Sequence, residues 1–249
     1  MRPPVVDGWL LTFAKILNYT QLFETLPENH PLRENQEWIS RFYPKLKFPE
    51  AVGIPVKKNS EEIPIRSCLT MIEYICRVRL SRLAESFILL ALHSNTYGAA
   101  QIVRALYENA AILGHALKVG EGEPDAEKCK TLDRLINGQR FGIEDNDTAN
   151  RTIHIQTSIK HAQKVLEDLT VKEFSDDFSK LYEIACEFVH PNFSSNFSEV
   201  EPNKVMNQLE YCLETQRKTL RGLVGHLRLA LISNEQLILA LRGRLEELE

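Results

Sequence analysis

Strand signals are nearly absent from this sequence of 249 residues. No run of alternating β-branched residues bounded by Asn-Gly or Asp-Gly turns occurs in it. An apolar stretch of the ~18–20 residues that cross a bilayer is also missing. The nearest candidate, 227–241, is interrupted by Arg228, Asn234 and Glu235. These absences argue against a β-rich fold and predict that the chain does not span or bind a membrane.

Cysteine pairs are missing as well. The five cysteines include no Cys-x-x-Cys motif and their number is odd, which favours a reducing compartment. Asp7 and Gly8 interrupt any apolar run at the start of the chain, so that start is not typical of a signal peptide. We therefore expect a cytoplasmic protein.

What is present is ordinary globular composition. Apolar residues make up 43% and charged residues 26%, with only 11 glycines and 11 prolines, which excludes disordered and collagen-like classes. The proline-rich stretch 44–62 is the best boundary in the chain. We expect residues 1–62 to form a small helical N-terminal appendage with a linker, and residues 63–249 to form a helical bundle domain.

The net charge of −4 is unevenly distributed along the chain. Residues 63–120 carry a net charge of +3, whereas residues 121–201 carry −8. The overall balance argues against a wholesale binder of nucleic acid or anionic membrane. A local basic face on 63–120 remains compatible with it.

Helical spacing of apolar residues occurs almost everywhere. The fold class that this predicts is all-α, an antiparallel helical bundle with a long C-terminal helix. The predicted helices span 9–26, 32–43, 63–94, 97–119, 124–139, 148–170, 172–190 and 203–248.

The last helix carries the clearest periodicity. From Leu220 to Leu248, apolar residues recur at alternating spacings of four and three, and only Asn234 interrupts them. Two interpretations stay open: a core helix of the protein's own bundle, or a dimer interface whose register the asparagine fixes. Gly222 and Gly225 are expected to bend or break this helix.

Two stretches contain side chains that could take part in binding or catalysis. Arg104 and Glu108 share one helical stripe, but Arg preceding Glu is the weaker orientation for a pair, so both are expected to face another group. His190 stands directly before Pro191 and is therefore predicted at a helix end. There it either caps the helix or acts as an acid–base or phosphate-contacting group.

Motifs for metals and cofactors are incomplete. Glu187-x-x-His190 is half of a di-iron motif, and no second Glu-x-x-His exists. His154 and His161 lie two helical turns apart, about 10 Å, which is too far for one zinc ion. No Walker lysine occurs. The sequence therefore predicts no cofactor and no metal.

The two chemical stretches also carry a resemblance. Residues 97–108, Tyr-Gly-Ala-Ala-Gln-Ile-Val-Arg-Ala-Leu-Tyr-Glu, and the later Tyr182-x-x-x-Cys-Glu-Phe-Val-His-Pro together resemble a bacterial helical family known only as a domain of unknown function. Its members look like relatives of the HEPN fold, a helical bundle often found in prokaryotic defence and toxin–antitoxin systems. The resemblance covers roughly 63–200.

This resemblance implies an all-α bundle that is commonly a homodimer. In active HEPN ribonucleases, an Arg and a His four to six residues apart assemble across the dimer and cleave RNA without a metal. His190 matches that His, but residues 183–185 are Glu, Ile and Ala, so the expected Arg is missing. Arg104 could supply a guanidinium from the neighbouring helix. Arg221 and His226 fit the spacing as a second candidate pair.

Three functional hypotheses follow. The first is a non-catalytic binding or regulatory module, a homodimer or the binder of another protein. The second is a metal-independent ribonuclease, with RNA as substrate and either His190 with Arg104 and Glu108, or Arg221 with His226, at its site. The third is a nucleotide- or phosphate-binding protein that uses the positive hairpin of residues 63–120.

Overall fold

The computed structural model describes residues 23–42, 64–123, 125–138, 153–169, 178–190, 198–203 and 208–248. Helices make up 83% of the residues it describes, which confirms the predicted all-α fold class. None of the described helices has the length and apolar character needed to cross a membrane.

The described part of the chain contains eight helices and two short strands. The helices are α1 (Pro31–Glu34), α2 (Gln36–Phe42), α3 (Ile65–Leu92), α4 (Thr96–Val119), α5 (Ala126–Asn137), α6 (Ile155–Asp168), α7 (Phe178–Val189) and α8 (Leu213–Glu247); the strands are β1 (Val200–Asn203) and β2 (Gln208–Tyr211). The predicted helix 9–26 falls almost wholly outside the described residues. The helix predicted over 32–43 is two helices, separated at Asn35.

The chain divides into two compact units, Met1–Lys45 and Leu46–Glu249. In the first unit, the His30 side chain caps α1 by accepting a hydrogen bond from the Leu32 amide at 3.2 Å. Trp38 and Phe42 stack on α2 with their ring centroids 5.4 Å apart. The predicted linker 44–62 lies outside the described residues.

In the second unit α4 is the central helix, and α3, α6, α7 and α8 all pack against it. This position explains why α4 is apolar on more than one face. Its fully buried large side chains are Leu106, Tyr107 and Leu113.

A tight turn joins α3 to α4. Ser94 adopts a left-handed conformation with φ of 52°, and the Asn95 side chain accepts a hydrogen bond from the Gly98 amide at 2.8 Å. That bond satisfies one of the free amides at the start of α4. The short connection places the two helices side by side as the predicted antiparallel hairpin.

The long C-terminal helix begins later than predicted. Its expected start at residue 203 is wrong, because β1 and β2 form an antiparallel pair in register from Val200 opposite Tyr211 to Asn203 opposite Gln208. The backbone amide of Cys212 donates to the carbonyl of Glu199 at 2.8 Å and anchors this hairpin to the first turn of α8.

Once begun, α8 runs as one uninterrupted helix through Gly222 and Gly225, so the expected break is also wrong. A helix tolerates glycine at a cost of about 1 kcal/mol relative to alanine, and burial of the apolar stripe of α8 offsets that cost.

The apolar stripe of α8 lies in the core of the single chain. Its seam residues from Leu220 to Leu241 are buried, and Asn234 has no exposed surface. The Asn234 Nδ2 donates to the carbonyls of Leu106 at 3.0 Å and Ala230 at 2.8 Å, and its Oδ1 accepts from Asn109 at 2.8 Å. Of the two interpretations, the structure therefore shows the core helix.

Candidate functional site

Arg104 and Glu108 pair with each other on α4. The Arg104 Nε lies 3.0 Å from the Glu108 Oε1, and the two side chains are 28% and 27% exposed. The sequence predicted that these two side chains would face other groups instead of each other. That prediction is wrong, because they form an ion pair. The weaker orientation costs only a few tenths of a kcal/mol, which other contacts easily outweigh.

Those other contacts come from α7. The Tyr182 hydroxyl donates to the Glu108 Oε1 at 3.4 Å, and the tyrosine ring is buried. One turn later on the same face lies Cys186, half-buried and close enough to influence both Tyr182 and Arg104 electrostatically. We call Arg104, Glu108, Tyr182 and Cys186 the Arg104 cluster.

The electrostatics of the Arg104 cluster stabilise a charged guanidinium. Desolvation opposes the charge, but the carboxylate of Glu108 and the hydroxyl of Tyr182 outweigh it and raise the pKa of Arg104. Desolvation also raises the pKa of Tyr182, with Cys186 and Glu108 adding to the effect. Tyr182 is therefore a neutral hydrogen-bond donor at neutral pH, and it is not a base.

His190 lies at the end of α7, one turn beyond Cys186, with its residue exposed to solvent. Its backbone amide still donates to the Cys186 carbonyl at 3.0 Å, so the helix ends at this residue, as the following proline predicts. The structure thus brings Arg104 and Glu108 together, and it places His190 two turns along α7 from Tyr182.

The side chains of the second candidate pair, Arg221 and His226, point in different directions. Arg221 is exposed, whereas His226 is half-buried and its Nδ1 lies 3.1 Å from the Tyr107 hydroxyl on α4. Five residues along a helix correspond to a rotation of about 140°, so the two side chains do not converge within one chain. Burial lowers the pKa of His226, which keeps it neutral at neutral pH.

The basic residues of the 63–120 hairpin are largely paired within the chain. The carboxylate of Glu73 lies 2.8 Å from the Nε of Arg242 on α8 and 3.4 Å from Arg77. Three further ion pairs involve residues of this hairpin: Arg82–Glu85, Arg104–Glu108 and Lys118–Glu121. The net charge of +3 is thus spread over ion pairs, and it does not form one free basic surface on this hairpin.

Sequence reasoning missed a histidine pair where α4 meets α6. The rings of His115 and His161 meet edge to face with centroids 4.2 Å apart, and the His115 Nδ1 lies 2.8 Å from the Ser158 hydroxyl. Desolvation, and secondarily His161, lowers the pKa of His115 to about 4. The available signal was His115 in an otherwise apolar stretch of a central helix.

In the described ranges, no three or more His, Cys, Asp or Glu side chains come together as a metal site. Of the half di-iron motif, Glu187 lies on the last turn of α7 and His190 directly follows that helix. The chemistry available in the Arg104 cluster is therefore that of an ion pair, a phenol and a thiol.

Comparison of the chain with protein-family models, with curated proteins and with solved structures gives no match. The resemblance to the HEPN-like family rests on its two motif stretches. Function is therefore argued from the helical fold and from the geometry of its side chains.

Proposed function

We propose that this protein is a non-catalytic binding or regulatory module whose partner is a second copy of itself, in the defence or toxin–antitoxin setting that the HEPN-like resemblance implies. The observation that carries the proposal is the pairing of Arg104 with Glu108 at 3.0 Å, flanked by Tyr182. The guanidinium that a nuclease would need is already engaged inside the chain.

Metal-independent cleavage of RNA needs an Arg whose charge is free to stabilise the phosphorane, and a His that moves the proton. In the Arg104 cluster a carboxylate shares the guanidinium, so the local charge is close to neutral. A phosphate approaching Arg104 would also approach Glu108 and be repelled by it. The geometry therefore favours recognition over phosphodiester chemistry.

The other candidate pair supports the same conclusion. His226 contacts the buried Tyr107 hydroxyl, and the two rings meet edge to face with centroids 6.2 Å apart. A histidine in that position fixes the packing of α8 on α4. With Arg221 about 140° away around the helix, a joint contact with one phosphate is excluded within a chain.

Four exposed apolar residues lie on elements that meet at one end of the bundle. They are Leu89 (41%), Tyr97 (47%), Tyr211 (57%) and Leu213 (56%). We call these four residues the end surface. Exposed tyrosines and leucines gathered at one place are typical of protein–protein contacts.

Hydrogen bonds fix the elements that carry the end surface. The Thr96 hydroxyl donates to the Glu199 carboxylate at 2.5 Å, and the Gln216 side chain donates to the Ser94 carbonyl at 2.9 Å. These bonds hold the α3–α4 turn against the β-hairpin and the start of α8. Because the heptad stripe of α8 is already buried from Leu220 to Leu241, we expect a twofold contact between copies to use another face, and the end surface is the best candidate.

Sedimentation at micromolar concentration tests the dimer. The wild-type chain should sediment as twice its 28.6 kDa mass. The double variant Tyr97→Ser with Tyr211→Ser should be a monomer. The matched control is Ile75→Ser with Leu239→Ser, which removes two apolar residues that are also exposed but lie elsewhere, and it should remain a dimer. A monomeric wild type, or a control that dissociates equally, would contradict the proposal.

Incubation with mixed RNA tests the absence of catalysis. The purified wild type should cleave no more RNA than a buffer blank, and His190→Ala and His226→Ala should behave identically to it. RNA cleavage that either substitution abolishes would identify the protein as a ribonuclease and overturn the proposal.

A further inference from the structure

A groove of about 560 Å³ runs along α6, and its lining shares no residue with the Arg104 cluster or the end surface. The start of α7 borders it, where the Ser179 amide donates to the Gln163 Oε1 at 3.0 Å. Pockets that hold small molecules commonly measure about 300–1,000 Å³. The groove therefore has room for a ligand of metabolite size.

The residues that line the groove are polar or charged, and two of them are lysines. Lys160 and Lys164 are exposed, and in the described part of the chain neither forms a hydrogen bond or ion pair. The acidic member of the lining, Glu167, accepts a hydrogen bond from Gln163 at 2.8 Å. Two ammonium groups one turn apart match the charge of a single phosphate monoester.

His161 connects this groove to the interior. It lines the groove, its ring contacts His115, and its Nδ1 is buried without a hydrogen-bond partner among the described residues. Natural structures seldom leave such an atom unpaired. Groups from several elements face it: Lys164 on its own helix, and His115, Lys118 and Glu121 from α4 and the residues that follow α4.

We propose that this groove binds a small phosphorylated molecule, with the phosphate between Lys160 and Lys164 and the hydroxyls of Thr157 and Ser179 as further donors. All four residues line the groove. Lysine suits this role because its compact ammonium binds phosphate as a point charge.

A small ligand fits this site better than RNA does. A polyanion is held by a basic track that neutralises many phosphates, whereas this helix presents two exposed lysines followed by Glu167 and Asp168. The volume of the groove also matches one nucleotide or sugar phosphate and is too small for a strand.

Binding should be coupled to the protonation of His161. Burial, Lys164 and Lys118 lower the pKa of this imidazole. A phosphate dianion beside Lys164 would offset the repulsion from that lysine and raise the pKa of His161. The coupling is reciprocal, so protonation of His161 should strengthen binding of the phosphate dianion.

The test uses the full chain, adenosine 5′-monophosphate and inorganic pyrophosphate as probes, and adenosine as the phosphate-free probe. Calorimetry should detect binding of adenosine 5′-monophosphate and of pyrophosphate, and no binding of adenosine. Lys160→Ala with Lys164→Ala should weaken binding at least tenfold. The matched control, Lys130→Ala with Lys180→Ala, removes two other exposed lysines and should bind as the wild type does.

A second measurement distinguishes a specific binding site from nonspecific electrostatic attraction. Proton NMR of the His161 imidazole should show its pKa rise when pyrophosphate saturates the wild type, and no rise in the groove variant. The proposal is overturned if neither phosphorylated probe binds at millimolar concentration, or if both lysine variants weaken binding equally. It is also overturned if a 12-nucleotide RNA binds through the same lysines at least tenfold more tightly than the nucleotide.

Discussion

The polar residues of the central helix α4 lie in two different environments, one buried and one partly exposed to water. Toward α3 and α8 it buries Asn109, which has no exposed surface and whose Nδ2 donates to the Asn234 Oδ1 at 2.8 Å and the Cys76 carbonyl at 3.0 Å. Toward α7 it presents Arg104 and Glu108, which keep more than a quarter of their side-chain surface in water. We call the contacts with α3, α6 and α8 the sealed side, and the contact with α7 the open side.

The difference follows from the cost of burying charge. A neutral amide costs less to bury than an ion pair, which must recover several kcal/mol of lost hydration for each ion. Asn109 is buried although its Oδ1 has no hydrogen-bond partner among the described residues. The sealed side therefore carries the stability and register of the fold. The open side retains charge that water can still reach, which is compatible with recognition and contributes little to stability.

The largest expected effect is the loss of the buried amide pair. Replacing Asn234 with alanine removes two hydrogen bonds to carbonyls, leaves Asn109 without one acceptor and opens a cavity, so unfolding should become easier by about 4 kcal/mol. Urea denaturation measures this change. Lys218→Ala on the exposed face of the same helix should stay within about 0.5 kcal/mol of wild type.

The pair can be separated from the cavity by a double-mutant cycle. Asn109→Ala combined with Asn234→Ala should cost less than the sum of the single changes, because each single change strands the other amide. Strict additivity would show that the two asparagines do not act as a unit, and the sealed side would lose its defining contact.

The next effect depends on pH. His115 is buried against α6, and burial holds its pKa at about 4, below the ordinary value of 6.5. The neutral imidazole therefore contributes stability that is complete above pH 6.5 and is lost as the pH falls toward 4, by up to about 3 kcal/mol. The difference in unfolding free energy between wild type and His115→Gln should shrink or reverse over that window.

Exposed His93 supplies the control for this measurement. His93→Gln should leave the pH dependence of unfolding as it is in the wild type. If His115→Gln also leaves it unchanged, His115 is not shielded from water and the α4–α6 contact does not belong to the sealed side.

The third prediction concerns two glycines. Replacing each with alanine should change the free energy of unfolding, in opposite directions at the two positions. A Cβ on Gly114 would lie 2.4 Å from the Cα of Ala162, so Gly114→Ala must push α4 and α6 apart and should cost about 2 kcal/mol. Gly225 on α8 has nothing within 4 Å of that position, so Gly225→Ala should stabilise by about 0.5–1 kcal/mol. Thermal unfolding measures the stability change of each variant. If both substitutions stabilise the protein, α4 and α6 are less closely packed at Gly114 than described.

The helices of the second unit were predictable because their own residues mark them. Helix α3 was expected over 63–94 and spans 65–92, since proline opens it and a polar turn ends it. The β-hairpin was not predictable. Glu201 lies directly opposite Glu210 and Pro202 sits within β1, so local preference argues against strands there. Bonds to distant residues, such as Cys212 to Glu199, hold it.

The candidate site was predictable only where its parts are close in the chain. The Arg104–Glu108 pair follows from a spacing of four residues, and the helix end at His190 follows from the next proline. Tyr182 lies 74 residues from Glu108, and His226 lies 119 residues from Tyr107. No local pattern encodes those contacts, because the packing of α7 and α8 on α4 creates them.

The smallest effect is expected on the open side. Glu108→Gln keeps an oxygen that can accept from Tyr182 and removes only the charge facing Arg104, so it should cost about 1 kcal/mol or less. Added salt should reduce that cost, since a half-exposed pair is screened. Glu85→Gln, which breaks a more exposed pair with Arg82, is the matched control and should cost less still.

The magnitude of this last change decides whether the two sides of α4 differ in kind. Urea denaturation of Glu108→Gln at low and high salt measures it against Asn234→Ala. If the two substitutions cost the same and the cost does not depend on salt, the Arg104 cluster is as shielded from water as the amide pair. The distinction between a sealed and an open side of α4 would then fail.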